Sequence, residues 1–258
     1  MNTDKLLTQV CDAHGGLASW RAVEVIDFAL SSSGLAFSSH GQGSALVGLT
    51  VRLWPHQRRV DLRHYGEPGG LGVWTPDHVA HYAADGRLLA ERQHPRTQFI
   101  RLRKRLVWDK LDMLYFGGYA LWNYLSFPFV LAEPGVRVSL PTAVDRCAGA
   151  GLVAEFDASV PTHSARQVFH LNQALHLTQH DYTADVIGSW ATAANCALAS
   201  TEVAGLRFYT RRHVTPRMGP WQTVLPFPLL VRIDITELAV QFTSSPSMPP
   251  PPPAQSAG

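Results

Sequence analysis

The sequence contains few cysteines, few charged residues and no long apolar run. Its three cysteines, Cys11, Cys147 and Cys196, lie far apart and form no Cys-x-x-Cys pair. This spacing argues against a disulfide framework and a cysteine zinc site. The longest apolar stretch, 119–132, is interrupted by Pro128 and is too short to span a bilayer. We therefore expect no integral membrane segment.

Other absences narrow the class of function. Charged residues make up 16% of the chain and the net charge is +2, which does not indicate a nucleic-acid partner. The start lacks a basic region, an apolar region and a small-residue cleavage site, so we expect a cytoplasmic protein. Phosphate-binding glycine loops, Gly-x-Ser-x-Gly elbows and dinucleotide fingerprints are also missing. We expect no cofactor.

What remains is typical of a globular β-rich protein. The chain has 258 residues, of which 46% are hydrophobic, enough for one large core and an enclosed cavity. We predict a single domain over 1–243 and a disordered proline-rich tail over 244–258. A helix is predicted to start at Asn2 or Thr3 and to end before Gly15.

Two series of strands are predicted on either side of a helical region. Short turn signals separate them, which favours antiparallel meanders over β-α-β units. The predicted strands are 25–33, 44–53, 58–64, 70–74, 78–83 and 88–94, and then 136–140, 152–159, 166–172, 174–182, 206–215 and 229–242. The segment 185–200 fits either a helical stripe or a turn followed by a strand.

The region 103–131 has helical periodicity, and Gly117-Gly118 is expected to divide it into two helices. They would cover the core of the sheet. A sharper interpretation makes them a lid over a pocket lined by Trp108, Tyr115, Trp122 and Tyr124.

The stretch "HLTQHDY", 176–182, holds two histidines, an aspartate and a tyrosine. Its period of two predicts a strand, on which His176 and His180 would stand about 13 Å apart, too far to share a metal ion. His180 and Tyr182 are therefore either acid–base groups facing a pocket or polar decoration facing solvent. Leu175 and Leu177 on the opposite face favour the second interpretation.

Arg212 lies on the apolar face of the strand "GLRFYTRRHV", 205–214, where Arg207, Tyr209, Arg211 and His213 share the other face. A buried arginine needs a carboxylate or a bound anion. The candidate partners are Asp181, Asp185 and Asp234 in a structural ion pair, or the carboxylate of a substrate.

Four motifs carry a resemblance: "AHGGLASWRAV", "HDYTADVIG", "GLRFYTRRHV" and "PFPLLVRIDI". In this order they resemble a group of bacterial proteins whose fold is similar to the lipoprotein carriers LolA and LolB and to the violacein-pathway enzyme VioE. The resemblance implies a curved antiparallel half-barrel with helices on its concave side. It also favours a strand over 195–200. Tyr209 and His213 depart from the pattern, which has proline and arginine there.

These features lead to two hypotheses. The first is a cofactor-independent isomerase, cyclase or lyase acting on a small hydrophobic molecule. Its catalytic groups would be His180, Asp181, Tyr182 and Arg212, and its pocket walls would be Trp54, Trp74, Trp108, Tyr115, Trp122 and Tyr124. The second is a non-catalytic binder or carrier of a hydrophobic ligand or lipid. The sequence leaves homodimer formation open.

Overall fold

The computed structural model describes residues 2–100, 106–145, 147 and 149–243. The proline-rich tail and part of the predicted inserted helical region lie outside these ranges. The α-helices within them are α1 Thr3–Asp12, α2 Leu17–Arg21, α3 Leu35–Ser38 and α4 Lys110–Ser126. The strands are β1 Val23–Ser33, β2 Leu46–Trp54, β3 Arg59–Arg63, β4 Leu71–Thr75, β5 His78–Tyr82, β6 Leu88–Gln93, β7 Val136–Ser139, β8 Gly151–Phe156, β9 Arg166–Leu171, β10 Leu177–Thr183, β11 Thr192–Val203, β12 Leu206–Met218, β13 Thr223–Val224 and β14 Val231–Phe242.

The strands form one antiparallel sheet in the order β6-β5-β4-β3-β2-β1-β14-β12-β11-β10-β9-β8-β7, with β13 paired to β12. Neighbours in the chain are neighbours in each meander, as short turns require. The C-terminal strand β14 inserts between β1 and β12 and joins the two meanders. In the described part of the chain β6 and β7 end the path without pairing to each other, so the sheet is open. The predicted curved half-barrel is confirmed.

Several bulges bend the sheet. Register shifts interrupt the pairing of β1 with β14, of β1 with β2, of β9 with β10 and of β11 with β12. Each extra residue increases the local twist and turns the following side chains to the other face. The bulges thus contribute to curvature and also reset which residues face inward.

The helix α4 packs on the concave face of the sheet, mainly against β3, β4 and β5. It begins with a capping box between Asp109 and Asp112, and Arg92 binds both carboxylates. Every residue from Leu111 to Ser126 is buried, so the helix is enclosed on all sides. Such a helix is core-forming rather than amphipathic.

The prediction of two helices divided at Gly117-Gly118 is wrong. Both glycines lie inside α4, which runs unbroken across them. A Cβ atom at Gly118 would stand 2.2 Å from Cγ of Trp74, and one at Gly117 would stand 3.0 Å from Cδ1 of Leu46. The glycines therefore allow a close approach of helix and sheet instead of ending the helix.

The first helix begins where the sequence predicts it, and the ambiguous segment is resolved. Asn2 caps α1 by accepting a hydrogen bond from the backbone of Asp4, and Leu6 and Val10 are buried beneath it. The ambiguous segment 185–200 resolves into a loop followed by β11, as the resemblance implied for 195–200.

Candidate functional site

A narrow cavity of about 30 Å³ lies between α4 and the concave face of the sheet. This volume suits roughly one water molecule and excludes an organic ligand. The walls are almost entirely apolar, with the two tyrosines and one serine as exceptions. They consist of Ser32, Phe37, Leu46, Phe116, Gly117, Ala120, Leu121, Tyr124, Tyr182, Val231 and Ile233.

A row of paired residues leads across the sheet from this cavity to Arg212. Leu46 pairs with Ser32, and Ser32 pairs with Ile233, all three of them in the cavity wall. Ile233 pairs in turn with Arg212. Directly paired residues project to the same face of a sheet. Arg212 is therefore the concave-face neighbour of the cavity wall.

The Arg212 side chain is 1% exposed and has no ionic partner among the described residues. Its Nη2 lies 3.5 Å from the carbonyl oxygen of Tyr124, and its Nε and Nη1 make no hydrogen bond there. The guanidinium carbon stands 4.8 Å from the ring centre of Tyr124 and 5.3 Å from that of Tyr209. The charge is thus held mainly by two aromatic rings.

The predicted structural ion pair of Arg212 is wrong. Asp181 lies 2.8 Å from His170 and 3.4 Å from Arg217, on the convex side. Asp234 forms ion pairs with Arg211 and Arg232. Asp185 lines a surface groove that also contains Arg96. All three carboxylates are placed away from the guanidinium.

A chain of buried hydroxyls and rings runs beside Arg212. The Tyr119 and Tyr124 hydroxyls lie 3.0 Å from Nδ1 and 2.7 Å from Nε2 of His163, and Tyr124 lies 2.9 Å from the Tyr182 hydroxyl. Burial, followed by the charge of Arg96, lowers the pKa of His163 to about 3. A neutral imidazole donates through one nitrogen and accepts through the other. All hydrogen bonds of this network can therefore form without a net charge.

His180 faces the concave side, contrary to the interpretation of it as solvent-facing decoration. A bulge between Leu177 and Gln179 puts Leu177 opposite Leu171 and His180 opposite Phe169, which places Leu177 and His180 on one face. The imidazole is 2% exposed, stacks on Phe169 at 4.3 Å and donates from Nε2 to the amide oxygen of Gln167. Burial, with the nearby charge of Arg212, holds the pKa of His180 well below its usual range.

The structure brings four of the predicted site residues together: His180, Tyr182, Arg212 and Tyr124. The ring centres of His180 and Tyr182 are 4.9 Å apart, and Tyr124 touches both Tyr182 and Arg212. Asp181 is excluded from this group because it points to the opposite face.

The other predicted wall residues are dispersed. Trp74 and Trp122 lie in the core between α4 and the sheet, with ring centres 6.5 Å apart. Trp108 and Tyr115 each contact Phe99 near the start of α4. Trp54 lies on the convex face, where Arg59 stands 5.0 Å from its ring. These five residues do not line the cavity beside Tyr124.

Several residues of the cluster were missed in the sequence. His163 stands alone in the loop before β9, where no periodicity assigns a face. Strand alternation predicts that Tyr209 lies on the solvated face, but register shifts between β11 and β12 turn it inward. Its hydroxyl donates to Nε2 of His14 and accepts from the backbone of Leu177. Asn195 could have been noticed as a polar residue on an otherwise apolar strand.

Open grooves on the described surface are larger than this cavity. One of about 570 Å³ runs past Arg96, Tyr115 and Asp185. Among the described residues, no group of three His, Cys, Asp or Glu side chains could hold a metal ion. No helix in that part of the chain is long and apolar enough to cross a membrane.

Comparisons with known proteins agree with the fold. No protein-family model matches the sequence, and no curated protein matches it significantly. A LolA superfamily protein from Nitrosomonas europaea is similar in structure, with a TM-score of 0.52, 9% identity, and coverage of 95% of this chain and 96% of that one. A DUF1329 family protein from Desulfovibrio piger gives a TM-score of 0.45 at 11% identity, and the match covers 94% of this chain and 95% of that one. A protein from Vibrio parahaemolyticus described as an outer-membrane lipoprotein-sorting protein domain gives a TM-score of 0.47 at 10% identity. The match covers 93% of this chain and 92% of that one. The similarity to the Nitrosomonas europaea protein shows that the chain has a LolA-like fold.

Proposed function

We propose that this protein binds a hydrophobic molecule between α4 and the concave face of the sheet, as a non-catalytic binder or carrier. The observation that carries the proposal is the composition of the cavity wall. Apolar side chains from α4 meet apolar side chains from β2 and β14 there, and the helix contributes the small residues Gly117 and Ala120. Burying apolar ligand surface against such walls is favourable.

Binding requires the cavity to grow, because about 30 Å³ holds no organic ligand. The helix α4 is the element that must move. The ion pairs of Arg92 with Asp109 and Asp112 hold its first turn. Its C-terminal half is held by side-chain packing and by hydrogen bonds of Tyr119 and Tyr124 with His163, which the opening movement has to break or carry along. A shift of the C-terminal half of α4 would open space along the row from Leu46 to Arg212 while the first turn stays anchored.

The entrance we propose lies beside α3. Phe37 of this short helix lines the cavity, and the backbone of Leu35 donates to the carbonyl oxygen of Leu229. Leu35, Leu229 and the nearby Phe227 are exposed apolar side chains, and Phe227 is 74% exposed. Exposed apolar groups next to an apolar cavity provide a path for a hydrophobic ligand.

The fold by itself does not choose between carrier and enzyme, since the resemblance seen in the sequence includes both. The geometry of the residues around Arg212 favours a non-catalytic binder or carrier. His163 and His180 are buried with lowered pKa values, whereas an efficient general base has a pKa near the working pH. Asp181, the carboxylate proposed as a catalytic group, points to the convex side. The cofactor-free enzyme is therefore the weaker hypothesis. The cytoplasmic location stays a prediction.

Native mass spectrometry of the purified protein tests the proposal, together with titration by the apolar fluorophore N-phenyl-1-naphthylamine. We expect either a co-purified lipid or saturable fluorophore binding. The variant Ala120→Leu fills the cavity wall and should weaken binding at least tenfold at a stability cost of about 1–3 kcal/mol. Ala90→Leu, on the exposed strand β6, is the matched control. Absence of both lipid and fluorophore binding in the wild type would overturn the proposal.

A further inference from the structure

Arg212 is a buried cation for which the described residues supply no anion. The described residues give it no carboxylate partner, and the residues outside the described ranges include no aspartate or glutamate. The rings of Tyr124 and Tyr209 offset part of the desolvation, but Nε and Nη1 have no acceptor within the described chain. Leaving a guanidinium in this condition costs free energy that a bound anion would recover.

A second unsatisfied group lies on the same face. Asn195 pairs with Val214, two residues along β12 from Arg212, and projects to the concave side like His180, with which it also pairs. Asn195 is fully buried and lies near the Tyr124 hydroxyl, yet neither atom of its amide makes a hydrogen bond of ordinary length among the described residues. Buried amides in proteins are normally satisfied. Arg212 and Asn195 together therefore place two incompletely satisfied polar groups on one side of the sheet.

We propose that Arg212, assisted by Asn195, binds the carboxylate of an amphiphilic ligand whose apolar chain occupies the enlarged cavity. This inference rests on the proposed function and specifies its ligand as a long-chain carboxylic acid. The row Ser32, Ile233, Arg212 places the cation one strand away from the cavity wall, so one molecule can reach both.

The charge balance favours a carboxylate over a phosphate. His163 and His180, the other titratable groups near the guanidinium, are buried with pKa values below their usual range and stay neutral. The tyrosines are neutral as well, since burial raises the pKa of Tyr182 well above 10 and that of Tyr209 to about 12. The site therefore carries one positive charge. A monoanion neutralises it, whereas a phosphate monoester dianion would leave a buried negative charge.

Calorimetric titration with ligands of one chain length tests the assignment. Dodecanoate, 1-dodecanol and dodecyl phosphate differ only in the head group. We expect the wild type to bind dodecanoate at least tenfold more tightly than 1-dodecanol, as a charge-assisted hydrogen bond implies. Arg212→Met should bind the acid no more tightly than the alcohol, because the buried carboxylate then has no cation beside it. Arg211→Met is the matched control on the same strand, because Arg211 is exposed and paired with Asp234, and it should behave like the wild type.

The outcomes separate the two proposals. Equal binding of acid and alcohol by the wild type would leave hydrophobic binding standing and overturn the role of Arg212. Tighter binding of dodecyl phosphate than of dodecanoate would overturn the assignment of a carboxylate. Binding of none of the three would overturn the assignment of a long-chain acid, and the hydrophobic-binding proposal falls only if lipid and fluorophore binding are absent as well. Should Arg212→Met fail to fold, the wild-type comparison still decides, and Arg212→Lys, which keeps the charge, should retain the preference for the acid.

Discussion

His163 stacks face to face on Tyr182, with ring centres 3.9 Å apart and planes inclined by 4°. The contact joins the loop before β9 to β10, and the hydrogen bonds of His163 with Tyr119 and Tyr124 join both to α4. Burial of this imidazole, followed by the nearby charge of Arg96, disfavours its protonated form. The cluster is therefore a structural unit that depends on neutral histidines.

The first prediction is that the folded protein loses stability as the pH falls below 6.5. Burial lowers the pKa of His14 to about 4 and that of His163 to about 3, and it holds the pKa of His180 well below 6.5. Below pH 6.5 the unfolded chain binds protons at these groups and the folded chain does not. Each group then removes about 1.4 kcal/mol of stability per pH unit, roughly 4 kcal/mol per unit for the three together.

Urea denaturation at pH 7.5, 6 and 5 measures this slope. Replacement His163→Asn should reduce it by about one third. A stability that is flat between pH 7 and pH 5 would contradict the prediction.

The second prediction concerns alkaline pH and the convex face. Burial alone would lower the pKa of His170, but hydrogen bonds and charge from Asp181, with a contribution from Cys147, raise it to about 9. Because the folded pKa is raised, the stabilisation is complete below pH 6.5 and is lost as the pH rises through 9. The stability difference between the wild type and His170→Asn should thus shrink by about 1–3 kcal/mol between pH 6 and pH 10. A difference independent of pH, measured by urea denaturation, would contradict it.

The third prediction uses the two glycines of α4 as a matched pair. Glycine to alanine inside a helix gains about 1 kcal/mol from backbone entropy. At Gly117 the new Cβ meets the flexible end of Leu46, so Gly117→Ala should be close to neutral or stabilising. At Gly118 it meets the ring of Trp74, so Gly118→Ala should destabilise by about 2–3 kcal/mol or more. Equal urea midpoints for the two variants would show that α4 is packed less closely on the sheet at Trp74 than in this structure.

The fourth prediction concerns the ligand-free protein. Replacing a buried charge that lacks a partner with an apolar side chain of similar length removes its desolvation cost. Arg212→Met should raise the free energy of unfolding by about 1–3 kcal/mol, while Arg211→Met should change it by less than about 0.5 kcal/mol. A marked loss of stability in Arg212→Met would mean that the rings of Tyr124 and Tyr209 already compensate the charge.

Much of the fold was predictable from the sequence because it depends on local pattern. Alternating strands separated by short turns can form little else than antiparallel meanders. The burial of Arg212 was also predictable, since its strand places it among Leu206, Phe208 and Val214. The burial of His180 was not, because one extra residue between Leu177 and Gln179 reverses the alternation that the prediction used.

The sequence by itself determined the strand pattern, the capped first helix and the position of an arginine on an apolar face. Only the tertiary structure decided that Gly117 and Gly118 join one helix, that His163 completes the cluster, and that Asp181, Asp185 and Asp234 lie away from Arg212. The physical reason is that helix periodicity and strand alternation act over a few residues. The contacts of a glycine, a loop histidine or a buried charge are made by residues distant in sequence, and packing alone brings those together.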